Sequence, residues 1–267
     1  MFGVAGSASA QFRQPRSLDY LFVATASDVR ATWVNPAGLS AVTDASVMGE
    51  VMVGRTSADD FRLQQWTIGF NSRGFSVSYV RNRFETLEST SAVRFGFGVA
   101  FSGGGFGLAV SNYRAPGDNS RDLDLGIQYS LGPLVTVAGV VRHIGSPVVG
   151  DVELPLEYAG GGSFSLAEGA IELSGEGIAT ERLGPSESGY DVRYRAGARL
   201  ALSVGRQLDV FAVADLGSDF GFDRLHIGLV VGGSSRLGGL GTGLSPNGST
   251  RIDRWSLTGV SHAPLDR

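Results

Sequence analysis

Val93-Arg94-Phe95-Gly96-Phe97-Gly98-Val99-Ala100-Phe101 alternates without a break. Val93, Phe95, Phe97, Val99 and Phe101 share one side of an extended chain and Arg94, Gly96, Gly98 and Ala100 the other, because successive side chains of a strand point to opposite faces. One face is greasy and aromatic, the other small or polar. The rhythm returns at Phe75, Val77 and Tyr79 against Ser76 and Ser78, and at Leu123, Leu125, Ile127 and Tyr129 against Asp122, Asp124, Gly126 and Gln128. It returns again at Val192, Tyr194, Ala196, Ala198 and Leu200 against Asp191, Arg193, Arg195, Gly197 and Arg199. A soluble sandwich would show the same period with its greasy face inward, so the connections must decide.

About fourteen strands fit the chain, near 45–55, 61–70, 75–82, 92–101, 106–113, 122–131, 134–143, 155–166, 170–179, 190–201, 207–216, 222–231, 235–243 and 252–261. Each approaches the ten or so residues that a tilted membrane strand needs. Even-numbered strands are followed by tight turns such as Asn71-Ser72-Arg73-Gly74 and Ser102-Gly103-Gly104-Gly105. Odd-numbered ones mostly lead into longer polar segments, Arg83 to Ser91, Arg114 to Arg121, Ile144 to Glu153, Glu181 to Gly189 and Pro246 to Arg251. Short turns at one end and long loops at the other is the arrangement of bacterial outer-membrane barrels. The fold class is therefore all-β: a single transmembrane antiparallel barrel of about 14 strands with a short N-terminal helical plug segment, both termini in the periplasm.

Composition agrees. Forty Gly, 42 % hydrophobic and 18 % charged residues in 267 exclude disorder, and no run of eighteen apolar residues offers a transmembrane helix. The absence of Cys removes disulfides and thiolate chemistry, and the absence of Lys removes a Walker phosphate loop and a Schiff base. A net charge of −4 gives no footprint for nucleic acid. His143, His226 and His262 lack ligand spacing, so no metal or other cofactor is expected. Nor does a Gly-x-Ser-x-Gly elbow supply a hydrolase nucleophile, and no catalytic residue is assigned. Gly238-Gly239-Leu240-Gly241-Thr242-Gly243 lacks the helix a phosphate loop needs, and strand glycines explain it better.

Residues 1–10 end in Ala8-Ser9-Ala10, the small-residue pattern cut by a signal peptidase, and read as the remnant of an export signal. Residues 11–44 then form a hatch or plug segment, 45–262 the barrel and 263–267 a periplasmic tail. Within the plug, Leu18, Leu21, Phe22 and Val29 share one face of a candidate helix from Leu18 to Arg30. Asn35-Pro36-Ala37-Gly38-Leu39 punctuates its end: Pro36 fixes φ, Asn35 can bond its own backbone, and Gly38 permits φ > 0. An ordinary helix-ending turn would carry the same residues.

That motif resembles the N-terminal hatch of the FadL long-chain fatty-acid transporters and the PorV/PorQ group of type IX secretion. Val141-Arg142-His143-Ile144-Gly145-Ser146-Pro147, Leu154-Pro155-Leu156 and Ala159-Gly160-Gly161-Gly162-Ser163-Phe164-Ser165-Leu166 resemble the PorV group further. Unlike those families, the chain ends in Trp255-x-Leu257-x-Gly259-x-Ser261 and a polar tail, not in an aromatic residue. The resemblance implies a monomeric outer-membrane barrel bathed in lipid that takes up a hydrophobic ligand. As an alternative it implies a carrier or structural barrel for exported protein. The lumen candidates are Arg94, Gln128, Glu157, Glu172, Glu176, Arg193, Arg195, Arg199 and Asp209, whose mixed signs suggest paired ladders or a merely solvated wall. An apolar cavity lined by Leu21, Phe22 and Trp33 would favour uptake; a lumen packed with salt bridges would favour the carrier.

Overall fold

The computed structural model describes residues 12–41, 44–56, 59–84, 88–183, 189–204, 206–232, 235–244, 252 and 254–263. The alternating stretches become β1 (Ala45–Arg55), β2 (Phe61–Ser72), β3 (Phe75–Asn82), β4 (Thr90–Phe101), β5 (Gly104–Ala115), β6 (Asp118–Leu131) and β7 (Val135–Ile144). A small hairpin, β8 (Val148–Val149) with β9 (Val152–Glu153), interrupts them. Then follow β10 (Glu157–Leu166), β11 (Ile171–Glu181), β12 (Tyr190–Val204), β13 (Arg206–Leu216), β14 (Phe222–Gly232), β15 (Ser235–Leu244) and β16 (Arg254–Ala263). All but β8 and β9 join one closed antiparallel barrel of 14 strands, sealed where β1 pairs with β16 from Ala45↔Ala263 to Gly54↔Arg254. Closure leaves no unpaired edge, and no helix among the described residues is long and apolar enough to cross a membrane.

The greasy face points outward. Phe95, Phe97, Ile127, Leu229 and Leu257 are all exposed, while Arg94 and Ser76 on the opposite face are buried. An exterior of this extent has no place in water, where monomers expose apolar patches of a few hundred Å² at most; it matches the apolar band of a membrane barrel.

Short turns gather at one end. Arg73-Gly74 makes its turn with both residues at positive φ, 48° and 81°, the geometry whose twist matches antiparallel strands. At the other end lie the longer connections, with one correction. The expected loop from Arg114 to Arg121 is strand: Ala115 pairs with Asp118 across a tight Pro116-Gly117 turn. Pro pre-sets φ at the first turn position and Gly117 takes φ 79° at the second, so the polar residues extend the hairpin instead of leaving it. The loop from Ile144 to Glu153 folds inward instead, placing Val149 of its hairpin in an apolar cluster with Phe12, Trp33 and Tyr113.

Residues 12–41 lie within the barrel, and two expectations fail there. Instead of one helix from Leu18 to Arg30 the segment forms only α1 (Ser17–Tyr20), α2 (Ala31–Val34) and a 3-10 helix (Pro36–Ala41). The reason is competition for its backbone. The wall donates to the carbonyls of Arg13 and Gln14 from Gln65 (3.0 Å each), of Leu21 from Arg195 (3.2 Å), of Thr32 from Arg94 (2.6 Å) and of Val34 from Arg142 (2.7 Å). It accepts from the amides of Val23 at Glu176 (2.8 Å) and Val29 at Ser46 (3.3 Å). With partners supplied from outside, the i→i−4 ladder is not needed to satisfy buried amides. Nor does its first described residue lie at the short-turn end: Phe12 packs on Tyr113 (4.9 Å, edge-on), with Val80 and Ala92, near the long-loop ends of β3 to β5. From there the chain descends through the lumen as far as Ala41.

Candidate functional site

Asn35-Pro36-Ala37-Gly38-Leu39 rests on glycine. Gly98, Gly107 and Gly126 are in register across β4, β5 and β6, facing inward. A Cβ on Gly107 would stand 2.1 Å from the carbonyl carbon of Pro36, one on Gly98 2.4 Å from the amide of Ser40, and one on Gly126 1.9 Å from Asn35 Oδ1. Only a wall bare of side chains admits the 3-10 helix so closely. Asn35, fully buried, donates to the carbonyls of Val23 (2.9 Å) and Ile127 (3.3 Å) and accepts from the amide of Ala37 (3.1 Å). Leu39 packs with Ala26, Ala31 and Val34. Gly38 does not serve the purpose expected of it: its φ is not positive, and it is small because a Cβ would meet the carbonyl oxygen of Ala26 at 1.9 Å.

The predicted lumen residues fall into two groups. On the β4–β7 side Arg94 pairs with Asp124, donates to Ser111 (3.0 Å) and stacks over Trp33 (5.1 Å), and Arg142 pairs with Glu157, which also meets Arg193 (3.2 Å). Gln128 donates to the carbonyl of Ala24 (3.4 Å). Across the barrel Arg199 bridges Glu172 and Asp209, 3.3 Å to each. Arg195 joins Glu176 (2.6 Å) to Asp215 (3.2 Å) and lies over the Phe22 ring (5.0 Å).

Sequence reasoning missed how far this second group extends. Asp215 receives His226 (2.9 Å), His226 meets Thr242 (2.9 Å), and Thr242 accepts from Arg16 of the N-terminal segment. The Arg16 amide donates to Glu50 (3.1 Å), which also accepts from Thr258 (2.8 Å) and Tyr20 (3.2 Å). The result is one transverse polar layer running from β11 round to β1 and closed by the segment. Glu50 had a signal, being the sole charge between Ser46 and Gly54; Arg16 had none.

Asp122, Asp124 and His143 also converge, with ligand atoms within 4.8 Å of one another. Asp122 Oδ2 meets Tyr113 (2.9 Å) and the ring of His143 (2.7 Å), and Asp124 accepts from Arg94 and the His143 amide (2.9 Å), so three of the four carboxylate oxygens are committed within a buried network and Asp122 Oδ1 is without a partner among the described residues.

Because the segment leans on β4 to β6, the opposite side of the lumen stays open. A cavity of about 550 Å³ lies there, in the short-turn half and below the polar layer. Phe22, Phe211, Val213, Val230, Leu240 and Val260 give it an apolar wall, and Asp28, Arg30, Glu172, Arg199, Asp209 and Arg236 a charged one. Trp33 is not among its walls; it is buried in the cluster around Phe12. The cavity's arginines are engaged: Arg30 with Asp28, Arg199 with Asp209 and Glu172, and Arg236 also has a partner.

No family model matches the chain, and neither does any curated protein. Among solved structures it is similar to the Ralstonia pickettii toluene transporter TbuX (TM-score 0.65, 7 % identity, 91 % of this chain and 96 % of that one). It is also similar to the monoaromatic hydrocarbon channel CymD (TM-score 0.57, 9 % identity, 90 % and 93 %). A TodX deltaS2S3 mutant monoaromatic hydrocarbon channel aligns as well (TM-score 0.55, 10 % identity, 88 % and 94 %). At such identities the likeness shows the fold, that of outer-membrane barrels.

Proposed function

We propose that this barrel stands in the bacterial outer membrane and passes small hydrophobic molecules through its lumen, with the N-terminal segment as its hatch. The observation that carries the reading is the cavity on the side of the lumen that the segment leaves open, with its wall of Phe22, Phe211, Val213, Val230, Leu240 and Val260. The hydrocarbon and toluene channels of the same fold support it. Substrates would be neutral: each arginine at the cavity is already engaged, so a ligand carboxylate would lose its hydration without gaining a free cation. A long-chain fatty acid, which the FadL resemblance alone would suggest, fits less well. The paired arginines Arg94, Arg142 and Arg195, whose salt bridges alone would point to a carrier barrel, here also donate to the segment's own backbone.

The test is accumulation of labelled toluene, with oleate alongside, by cells displaying the barrel. Ser174 lines the cavity, so Ser174→Trp places an indole in its space. Toluene uptake should fall about tenfold while the amount of folded barrel is unchanged. Uptake that is equal in both, or equal to that of cells without the barrel, would refute the reading.

A further inference from the structure

The lumen arginines Arg94, Arg142, Arg195 and Arg199 are paired, and at the long-loop end Arg55 is paired with Asp59 and Arg182 with Asp191. The exposed arginines there whose side chains have no hydrogen bond or ion pair among the described residues are Arg62, Arg81, Arg83, Arg114 and Arg121, and of these Arg81 on β3, Arg114 on β5 and Arg121 on β6 stand together. They point outward, on the same face as Tyr79, Val110 and Leu123, one or two pleats beyond the apolar band. Register makes them neighbours: Arg81 is opposite Ser91, Ser91 opposite Arg114, Arg114 opposite Asn119 and Asn112 opposite Arg121. The positions between them are thus Ser and Asn, small donors without charge, and Asn112, Arg114, Asn119 and Arg121 line a shallow concavity.

We infer that this patch docks the phosphate headgroup of an anionic lipid. The site lies where the greasy wall ends, so a lipid whose chains lie along Val110 and Leu123 brings its headgroup level with the three guanidiniums. Guanidinium forks match phosphate oxygens bidentately, and Asn and Ser amides and hydroxyls can complete the shell. The side chains that face these three neighbouring guanidiniums are Ser and Asn, with no carboxylate, whereas Arg55 and Arg182 at the same end each keep one. The inference requires the barrel to stand in a membrane but is independent of what the lumen passes.

The experiment is native mass spectrometry of the full chain from neutral detergent, titrated with phosphatidylglycerol or phosphatidylcholine. The wild type should prefer phosphatidylglycerol by roughly a hundredfold, as three surface cations near anionic lipid allow. R81Q/R114Q/R121Q should bring the two lipids within about threefold, with heat-modifiable migration confirming the fold. Arg73→Gln, an exposed change at the opposite end, should leave the preference intact. If the triple variant does not assemble, R114Q alone, whose side chain touches no polar partner, should lower the preference severalfold. No preference in the wild type, or an undiminished one in the variants, would overturn the inference. Displacement of the lipid by equimolar soluble glycerol phosphate would also overturn it, by assigning the patch to a free phosphate ester.

Discussion

Gly107 shows what a single missing side chain does. Valine is the better strand former, yet its Cβ would have to share space with the Pro36 carbonyl, a backbone group that cannot rotate away. Gly107→Val should therefore leave the barrel folded and lift the 3-10 helix off the wall, so that limited proteolysis cuts between Ala31 and Ala41 at least tenfold faster. Gly139→Val is the matched control, because its outward Cβ meets nothing nearer than 3.7 Å. Cleavage unchanged in the first variant, or raised equally in both, would remove the glycine platform from the account. The alternation around Phe95 told which face these glycines occupy. It could not tell why they are glycine, since the atoms that exclude a Cβ belong to residues far away in the chain.

At the scale of elements, strands were legible and the N-terminal segment was not. Each strand carries its own evidence, because outward residues meet lipid and inward ones do not; β1 and β3 have the bounds that alternation alone suggests. The segment's conformation is decided by Glu176, Arg94, Arg142 and Arg195 on distant strands, so its helical periodicity misleads. Polarity alone suggests a loop from Arg114 to Arg121, where register and the Pro116-Gly117 turn make a hairpin. Phe97→Arg, on the lipid face of β4, should cost roughly 2 to 4 kcal/mol in bilayer refolding. Ser76→Arg is not the mild comparison that the alternation suggests, because Ser76 is fully buried against Thr32 of the hatch. Ser174→Arg, facing the open cavity, should cost under half as much as Phe97→Arg; equal costs would mean the two faces are not lipid and lumen.

Across the whole molecule, strand number sets the problem that the segment solves. About eight strands can fill their own interior with side chains, and fourteen cannot. Residues 12–41, the inward β8–β9 hairpin and the polar layer occupy the centre, and the cavity is what remains. The sequence showed that something had to fill this space and which residues were available. It could not show that the filling is lopsided, because that depends on the glycine platform and on Arg16 reaching β15. The lopsided filling is the central claim, and single-channel conductance in planar bilayers tests it most directly. The full chain should conduct feebly, and a chain lacking Ser17 to Thr43 should form a heat-modifiable barrel with at least severalfold larger conductance. Equal conductance in the two would contradict the account, because the segment could not then be what occupies the lumen.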